Sequence, residues 1–331
     1  MTRFLGFGLA LPGNRLEAEE SRAHLGRLWP ELRRVETDAV TRFTVQPPEE
    51  IFSRRSLSER MDIYRREAPR LARLAAELAL ADAGVAPGTI DMVVSVSCTG
   101  YMVPSLEVEL AQELGLREDV LRLPLTELGC SGGAAALAVA HRHLRLDPRA
   151  RVLLVCVELC SLTFQPEDTS LDNLVAAMVF GDGAVAAVLG GGQGGLEVLA
   201  TRSRLVPGTS RLLGFDLRGD GFHPVLDRRL PRLLRQQVGC AVAGFGEGPI
   251  GFCAVHSGGP RIFDAVESGL GLGPGSLAAS RDVFRRYGNL SSASLLLVLS
   301  ELRQGPPEMG LGLAFGPGVS LEMAALRRSP E

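Results

Sequence analysis

A cysteine on a glycine-rich turn is the residue of this chain best suited to covalent chemistry. Cys130 lies in the stretch Leu128-Gly129-Cys130-Ser131-Gly132-Gly133, between a short strand-like segment (120–125) and an alanine-rich, proline-free segment (134–144) typical of a buried helix. The unpaired N–H groups and positive dipole end of that helix favour thiolate over thiol, so the pattern predicts a lowered pKa and a nucleophile. A buried cysteine is also a common small apolar core residue, and the motif alone leaves that alternative open.

Two further residues of catalytic type occupy similar turns in the second half of the chain. His256 follows an apolar run (250–255), and Asn289 precedes an apolar segment that extends to Leu302. The first unit repeats the apolar, strand-like run that begins at Ile90, and the second repeats the turn and helix around Cys130. This repetition indicates an internal duplication of βα units. Pseudo-twofold symmetry would bring the equivalent helix starts to one central site. Taken singly, His256 also fits a core histidine, and Asn289 fits a turn or helix cap.

The elements that must position these residues alternate along the chain, which predicts an α/β fold. The pattern predicts strands at 3–11, 90–97, 151–157 and 184–189, and helices at 16–28, 56–81, 105–114 and 172–179. Pro69 should kink or divide the longest helix, and residues 37–46 should form a connection. The glycine-rich run 190–195 marks the best internal boundary, which separates residues 1–193 from residues 194–331.

Composition excludes several classes of protein. The 331 residues are 46% apolar and 22% charged with a net charge of −3, which indicates a globular chain and argues against nucleic-acid binding. Six cysteines are spread too thinly for a disulfide scaffold and lack the spacing of a zinc site, so we expect a reduced, cytoplasmic protein. No apolar run approaches the ~20 residues that span a bilayer, and the apolar N-terminal stretch is too short for a secretory signal.

Arginines crowd the start of the longest predicted helix. Arg54, Arg55 and Arg60 lie there, and guanidinium groups match phosphate oxygens well, so a nucleotide-like ligand could be held at this end. The alternative is a solvated helix face, which the neighbouring Glu59 and Glu67 favour.

Five stretches, in order along the chain, resemble the type III polyketide synthases, the chalcone-synthase-like members of the thiolase-fold condensing enzymes. They are Leu128–Gly133, Val179–Ala184, His256–Pro260, Tyr287–Ser294 and Phe315–Gly318. The resemblance implies a thiolase-like fold in which duplicated βαβαβ halves form a five-layered αβαβα core. It also implies a catalytic triad of Cys130, His256 and Asn289 in a homodimer that uses coenzyme A thioesters, with no bound organic cofactor and no metal.

The same resemblance assigns roles around the triad. Phe180 and Phe222 correspond to phenylalanines that gate the active site, although both types are also common core residues. Cys160, Thr163 and Ser291 resemble positions that shape the elongation cavity, and the loop containing Gly316 resembles the border of the cyclisation pocket. The chain departs from the family at Ser257, where proline is usual.

The implied reaction loads an acyl starter from acyl-CoA onto Cys130 and extends it by decarboxylative condensation with malonyl-CoA. Cyclisation would then give a pyrone or a resorcinol-type phenol. One alternative is the chain-initiating β-ketoacyl-ACP synthase III or a plain acyltransferase, but the synthase normally continues its histidine with Gln-Ala-Asn, whereas Ser257-Gly258-Gly259 follows here. A non-catalytic thiolase-fold partner is a second alternative, and such a protein would be expected to lose part of the triad.

Overall fold

The computed structural model describes residues 1–30, 37–246 and 248–330, and a mixed sheet of nine strands with helices on both faces is its main feature. The strands are β1 (Thr2–Ala10), β2 (Asn14–Glu17), β3 (Thr41–Thr44), β4 (Met92–Val96), β5 (Leu121–Leu125), β6 (Val152–Leu159), β7 (Asp182–Gly190), β8 (Gly195–Leu205), β9 (Leu213–Arg218), β10 (Gly221–Leu226), β11 (Phe252–Val255), β12 (Met309–Gly316) and β13 (Ser320–Ser329). The helices are α1 (Ala18–Leu28), α2 (Pro48–Ile51), α3 (Leu57–Ala83), α4 (Leu106–Glu113), α5 (Gly132–Leu146), α6 (Leu171–Val179), α7 (Leu230–Val242), α8 (Pro260–Leu270), α9 (Ala278–Tyr287) and α10 (Ser294–Glu301).

The order of the main sheet, β11-β12-β13-β8-β1-β7-β6-β4-β5, confirms the predicted duplication. In the first half, β4 runs parallel to β6, which is followed by antiparallel β7 and β1. In the second half, β11, β12, β13 and β8 repeat this order and these directions. The halves join at β1 and β8, where Thr2 pairs with Val198 and Arg3 with Glu197. A salt bridge of 3.0 Å from Arg3 to the buried Glu197 reinforces that junction.

The apolar faces of the helices determine how the layers of the fold are arranged. Helices α5 and α10 contact strands of both halves, so they form the central layer. The residues of α10 from 294 to 299 are buried, as expected for a helix that is apolar on every side. Helix α3 covers the first half from outside, while α7 and α8 cover the second. This is the predicted thiolase-like arrangement of five layers.

Helix α3 begins as predicted and is not divided at Pro69. Ser56 caps it by accepting from the Glu59 N–H, and the Glu59 carboxylate accepts from the Ser56 N–H. Pro69 removes one hydrogen bond and normally costs a helix interior about 3 kcal/mol. The helix continues because it buries a long apolar stripe, including Leu71 and Ala75, against β1, β6 and β7.

Two local predictions are wrong at the N-terminal end. The helix predicted from residue 16 begins at Ala18, because residues 14–17 form β2, and the predicted connection 37–46 contains β3. Among the described residues these strands pair only with each other, so their formation depends on a long-range contact that local composition does not show.

The connection between β7 and β8 contains the boundary predicted at residues 193 and 194. Because β1 lies between these two strands, the connection passes over the end of β1, and Arg3 donates a hydrogen bond of 2.6 Å to the Gly194 carbonyl. The division into residues 1–193 and 194–331 stays a prediction. Within the described residues, no helix has the length and apolar character needed to cross a membrane.

Candidate active site

Cys130, His256 and Asn289 line one cavity, and each lies on a different turn. Cys130 lies in a 3-10 turn between β5 and α5, and His256 directly follows β11. Asn289 follows α9 and precedes the 3-10 turn 291–293 that leads into α10. The two 3-10 turns contact each other because α5 and α10 are equivalent helices of the duplicated halves.

The cavity measures about 860 Å³ including its open mouth. Of the residues predicted to shape it, Phe180, Cys160, Thr163, Ser291 and Gly316 all lie on its wall. Pro317 also lines the cavity, within the stretch 315–318 that resembles the border of the cyclisation pocket. Sequence reasoning missed the apolar wall contributed by the β9–β10 hairpin, α7, α8 and the residue before β13. Those residues are Leu213, Phe215, Pro224, Leu226, Leu230, Leu234, Ile262 and Val319. They are ordinary apolar residues of amphipathic elements, so nothing in their local pattern marks them as a cavity wall.

The gating role of Phe222 stays a prediction, and the structure places Phe222 beside residues that line the cavity. It lies two residues nearer the hairpin tip than Pro224, which does line the cavity opposite Phe215 in the strand register. The Phe222 ring packs edge-on against Phe215, which lines the cavity, with ring centroids 5.8 Å apart.

The predicted arginine cluster divides into two environments. Arg54 and Arg55 form ion pairs at the surface, with Glu167 at 3.1 Å and Glu50 at 2.8 Å respectively. Arg60 is buried, donates to the Leu162 carbonyl at 2.6 Å and to Gln165 Oε1 at 3.3 Å, and so braces the segment after β6. The prediction of a phosphate contact is therefore wrong for Arg60, because its guanidinium is already used inside the protein.

The protonation of Cys130 and His256 is set mainly by burial. Loss of solvent raises the pKa of Cys130 to about 12, although the Ser291 hydroxyl at 3.6 Å opposes this rise, and the carboxylate of Glu158 adds to it. Burial lowers the pKa of His256 to about 4, with the Ser291 backbone opposing. At neutral pH these pKa values correspond to a neutral thiol and a neutral imidazole. The predicted lowering of the Cys130 pKa is wrong, because desolvation and a nearby anion outweigh the helix dipole.

Alkylation of Cys130 should therefore depend steeply on pH. Since only the thiolate reacts, the rate with iodoacetamide should rise about tenfold per pH unit from neutral pH to about pH 10, without a plateau. The measurement is mass-spectrometric labelling of Cys130 over time at each pH, with Cys130→Ala as the blank. A plateau below pH 8 would show that the thiol is already ionised near neutral pH.

The buried carboxylate of Glu158, which lies close enough to act on the pKa of Cys130, was not predicted. Glu158 accepts hydrogen bonds from the Cys98 N–H at 3.0 Å, from the Thr99 hydroxyl at 2.8 Å and from the Ser292 hydroxyl. Burial raises its pKa, although these donors oppose the rise. The Cys98 thiol lies 3.3 Å from the Ser291 hydroxyl that also contacts Cys130. The duplication contained a signal for Cys98, since β4 is the equivalent of β11 and Cys98 lies in the turn after β4, two residues beyond its end, while His256 directly follows β11.

Asn289 is held so that one end of its amide stays available. Its Oδ1 accepts from the Ser291 N–H at 2.8 Å and from the Ser294 hydroxyl at 3.5 Å. Its backbone pairs with the segment of Phe180, since Asn289 N–H donates to the Val179 carbonyl at 2.7 Å. Among the described residues, Nδ2 has no hydrogen-bond partner, so it is a free donor at a residue that lines the cavity.

The glycines after Cys130 allow the start of α5 to pack closely against β4 and against the turn before α10. A Cβ atom on Gly133 would lie 2.3 Å from the Ser292 carbonyl oxygen, and one on Gly132 would lie 2.6 Å from Val96 Cγ1. We expect Gly133→Ala to destabilise the fold by about 1–3 kcal/mol, because two packed backbones must separate. Urea unfolding measures this, with Gly13→Ala as the control, since a Cβ there meets no atom within 4 Å. Equal stability of the two variants would contradict this account.

Family models match nearly the whole chain. The model for chalcone and stilbene synthases, N-terminal domain, matches residues 43–193, and the model for the C-terminal domain matches residues 197–330. The chain belongs to the type III polyketide synthases. The carrier-protein-dependent synthase considered as an alternative is not favoured, and membership of this class of condensing enzymes supports an enzyme.

Individual relatives agree with the family models. This type III polyketide synthase is 36% identical over 304 residues to 1,3,6,8-tetrahydroxynaphthalene synthase of Streptomyces coelicolor, covering 88% of this chain and 81% of the relative. It is 33% identical over 308 residues to phloroglucinol synthase of Pseudomonas fluorescens, covering 87% and 86%. The crystal structure of the Streptomyces coelicolor synthase superposes with a TM-score of 0.94 at 31% identity, covering 99% of both chains.

Proposed function

We propose that Cys130, His256 and Asn289 catalyse the loading and decarboxylative extension of an acyl chain from coenzyme A thioesters. The observation that carries this proposal is their convergence on one largely apolar cavity from three separate turns. A neutral imidazole with its Nδ1 buried and without a partner among the described residues is suited to accept a proton.

Loading begins when the Cys130 sulfur attacks the thioester carbonyl. Because the thiol is protonated at rest, its proton passes to His256 as the carbon–sulfur bond forms. The coenzyme A thiolate then leaves and takes up that proton. The products of this step are an acyl-Cys130 thioester and free coenzyme A, with His256 neutral again.

Extension requires an enolate to form from malonyl-CoA. When its carboxylate leaves as carbon dioxide, the electron pair moves onto the thioester oxygen, where Asn289 Nδ2 and the His256 N–H donate hydrogen bonds. The enolate carbon attacks the acyl-Cys130 carbonyl, and Cys130 is released from a chain that is longer by one ketide unit. The apolar wall with Phe180 excludes water that would otherwise protonate the enolate. This chemistry calls for no bound organic cofactor, since the thioesters themselves are activated.

We further propose a phenolic product. The relatives named for tetrahydroxynaphthalene and phloroglucinol support it, because rings with alternating hydroxyl groups arise when a linear poly-β-ketone cyclises and loses water. The exposed Arg54 and the half-buried Arg55 remain the proposed contacts for coenzyme A phosphates.

The test is incubation of the purified protein with malonyl-CoA, alone and with acyl-CoA starters of increasing length, without carrier protein. Mass spectrometry with isotopically labelled malonyl-CoA should detect phenols, resorcinols or pyrones that carry the label. Acylation of Cys130 without any extended product would overturn the proposal in favour of simple acyl transfer. Product that forms only when carrier protein is added would overturn the use of coenzyme A thioesters.

A homodimer in the cytoplasm is the proposed working state. The loop between β4 and α4 exposes large apolar side chains, with Tyr101 62% and Val103 79% exposed, which a second copy of the chain would cover. The six cysteines are unpaired, in keeping with a reducing compartment. Light scattering of the protein and of Val103→Asp tests the dimer, which should dissociate in the variant.

A further inference from the structure

Arg42 is a buried arginine that no step of the proposed reaction uses. It lies on β3 and is 2% exposed. Burying a cation is costly unless hydrogen bonds and an opposite charge offset the loss of water. Burial lowers the pKa of Arg42 to about 10, with Asp182 opposing, so the guanidinium stays charged at neutral pH. Because its Nε has no hydrogen-bond partner among the described residues, the other contacts of the guanidinium must explain why it is there.

The hydrogen bonds of Arg42 complete the end of α6. Nη1 donates to the Ala177 carbonyl and, at 3.2 Å, to the Phe180 carbonyl, while Nη2 donates to the Ser21 hydroxyl of α1. Carbonyl groups in the last turn of a helix have no partner within the helix, and the negative end of the helix dipole favours a cation there. Arg42 therefore fixes the point at which α6 ends and Phe180 reaches the cavity wall.

The segment held by Arg42 is paired with the residue proposed to hold the enolate. Asn289 N–H donates to the Val179 carbonyl at 2.7 Å, and Gly181 N–H donates to the Asn289 carbonyl at 3.1 Å. These two bonds form a bridge between Phe180 and Asn289 that lies outside the strands of the sheet. Because no longer run of strand pairing reinforces this bridge, its position depends on the groups that surround it.

Arg42 also packs against the second segment of the bridge. A Cβ atom on Gly288, the residue before Asn289, would lie 2.9 Å from Arg42 Cγ, so glycine leaves the room that the arginine stem occupies. The start of β3 is tied to the same region, because Val40 N–H donates to the Arg285 carbonyl of α9 at 2.9 Å. The arginine thus contacts both segments of the bridge, one through its guanidinium and the other through its aliphatic stem.

We propose that Arg42 is a positioning residue that sets the places of Phe180 and Asn289 in the cavity by fixing the end of α6. This inference rests on the proposed function, in which Asn289 donates to the enolate and Phe180 excludes water. An error of about 1 Å in the position of a catalytic group can lower a rate by ~10²-fold. Cys130 and His256 lie on other turns, so loading should depend on Arg42 much less than decarboxylation does.

Arg42→Met keeps much of the bulk of the side chain and removes its donors. Release of carbon dioxide from malonyl-CoA should fall by about 10- to 100-fold in this variant, while acylation of Cys130 by a starter thioester changes little. A larger share of the enolate that still forms should be protonated to acetyl-CoA, because Phe180 no longer excludes water. Arg42→Lys keeps the cation and should recover part of both losses. Equal losses of loading and decarboxylation would overturn the proposal.

Arg3→Met is the matched control for loss of a buried guanidinium. Arg3 is 6% exposed and lies at the junction of β1 and β8, where it pairs with Glu197. This variant should keep the ratio of loading to decarboxylation of the unmodified protein, whatever stability it loses. A ratio that changes as much as in Arg42→Met would overturn the proposal, since loss of any buried arginine would then disturb the site.

Hydrogen exchange followed by mass spectrometry tests the positioning without turnover. Peptides covering residues 177–182 and 286–291 should exchange faster in Arg42→Met, because the bridge opens more often, while a peptide from β4 keeps its rate. If Arg42→Met does not fold, Arg42→Lys serves for both measurements. Unchanged exchange in the bridge peptides, or equal acceleration of all peptides, would overturn the proposal whether or not product forms. Unmodified protein that releases no carbon dioxide would instead overturn the proposed function.

Discussion

Replacement of Cys130 by alanine is expected to abolish polyketide formation. Loss of a covalent nucleophile typically lowers turnover by ~10⁴-fold or more, because neither loading nor extension can start without the acyl-enzyme. The fold should persist, since Cys130 lies in a 3-10 turn and its side chain makes a single hydrogen bond among the described residues, of 3.6 Å to the Ser291 hydroxyl. Product formation from labelled malonyl-CoA, followed by mass spectrometry, provides the measurement.

Variants of two other cysteines provide controls for this experiment. Cys240 is exposed on α7 and outside the cavity, so Cys240→Ala should retain full activity. Cys98 lines the same cavity, and Cys98→Ser tests whether a second thiol can accept the acyl group in place of Cys130. Intact-protein mass spectrometry of Cys130→Ala should show no acyl adduct. An adduct on Cys98 in that variant, together with product, would contradict the assignment of Cys130 as the nucleophile.

Asn289→Asp should separate the two half-reactions. The new carboxylate can still accept from Ser291 N–H and Ser294, so the hydrogen bonds that hold residue 289 in the fold are kept. What changes is the Nδ2 donor, which becomes a negatively charged oxygen that repels the enolate. Loss of one such donor typically costs ~10² to 10³ in rate, and repulsion should make the loss larger.

Loading should suffer less than extension in Asn289→Asp, since loading builds no enolate. Acyl-Cys130 should therefore accumulate in the variant when a starter thioester is supplied, while release of carbon dioxide from malonyl-CoA falls sharply. Asn14→Asp, a change of the same type far from the cavity, is the control for added charge. Equal losses in loading and in decarboxylation would show that Asn289 acts by shaping the site and not by holding the enolate.

Much of the fold was accessible from the sequence because it depends on repeated local patterns. The Ile90 strand and the helix after Cys130 follow from buried apolar runs and from alanine-rich, proline-free composition. Their recurrence around His256 and Asn289 indicated the duplication, and the strand order confirms it. The strands β2 and β3 escaped prediction, as did the unbroken course of α3 through Pro69, because each is decided by packing between distant segments.

The pKa of Cys130 shows why predictions from the local sequence fail at the site. A cysteine near a helix start is predicted to ionise easily, yet Cys130 is buried close to Glu158, which comes from a different strand. The phosphate contact predicted for Arg60 fails for a related reason. Its guanidinium is buried and donates to the Leu162 carbonyl, so it cannot reach a phosphate.

By itself, the sequence determined the duplicated α/β architecture and the three residues that meet at its centre, because the periodicity of apolar residues and the placing of glycine turns are local properties. Tertiary structure alone decided which apolar residues line the cavity, how burial shifts the pKa values of Cys130 and His256, and which donors surround Glu158. These properties depend on distances between segments remote in the chain and on the exclusion of water, and both arise only when the layers pack.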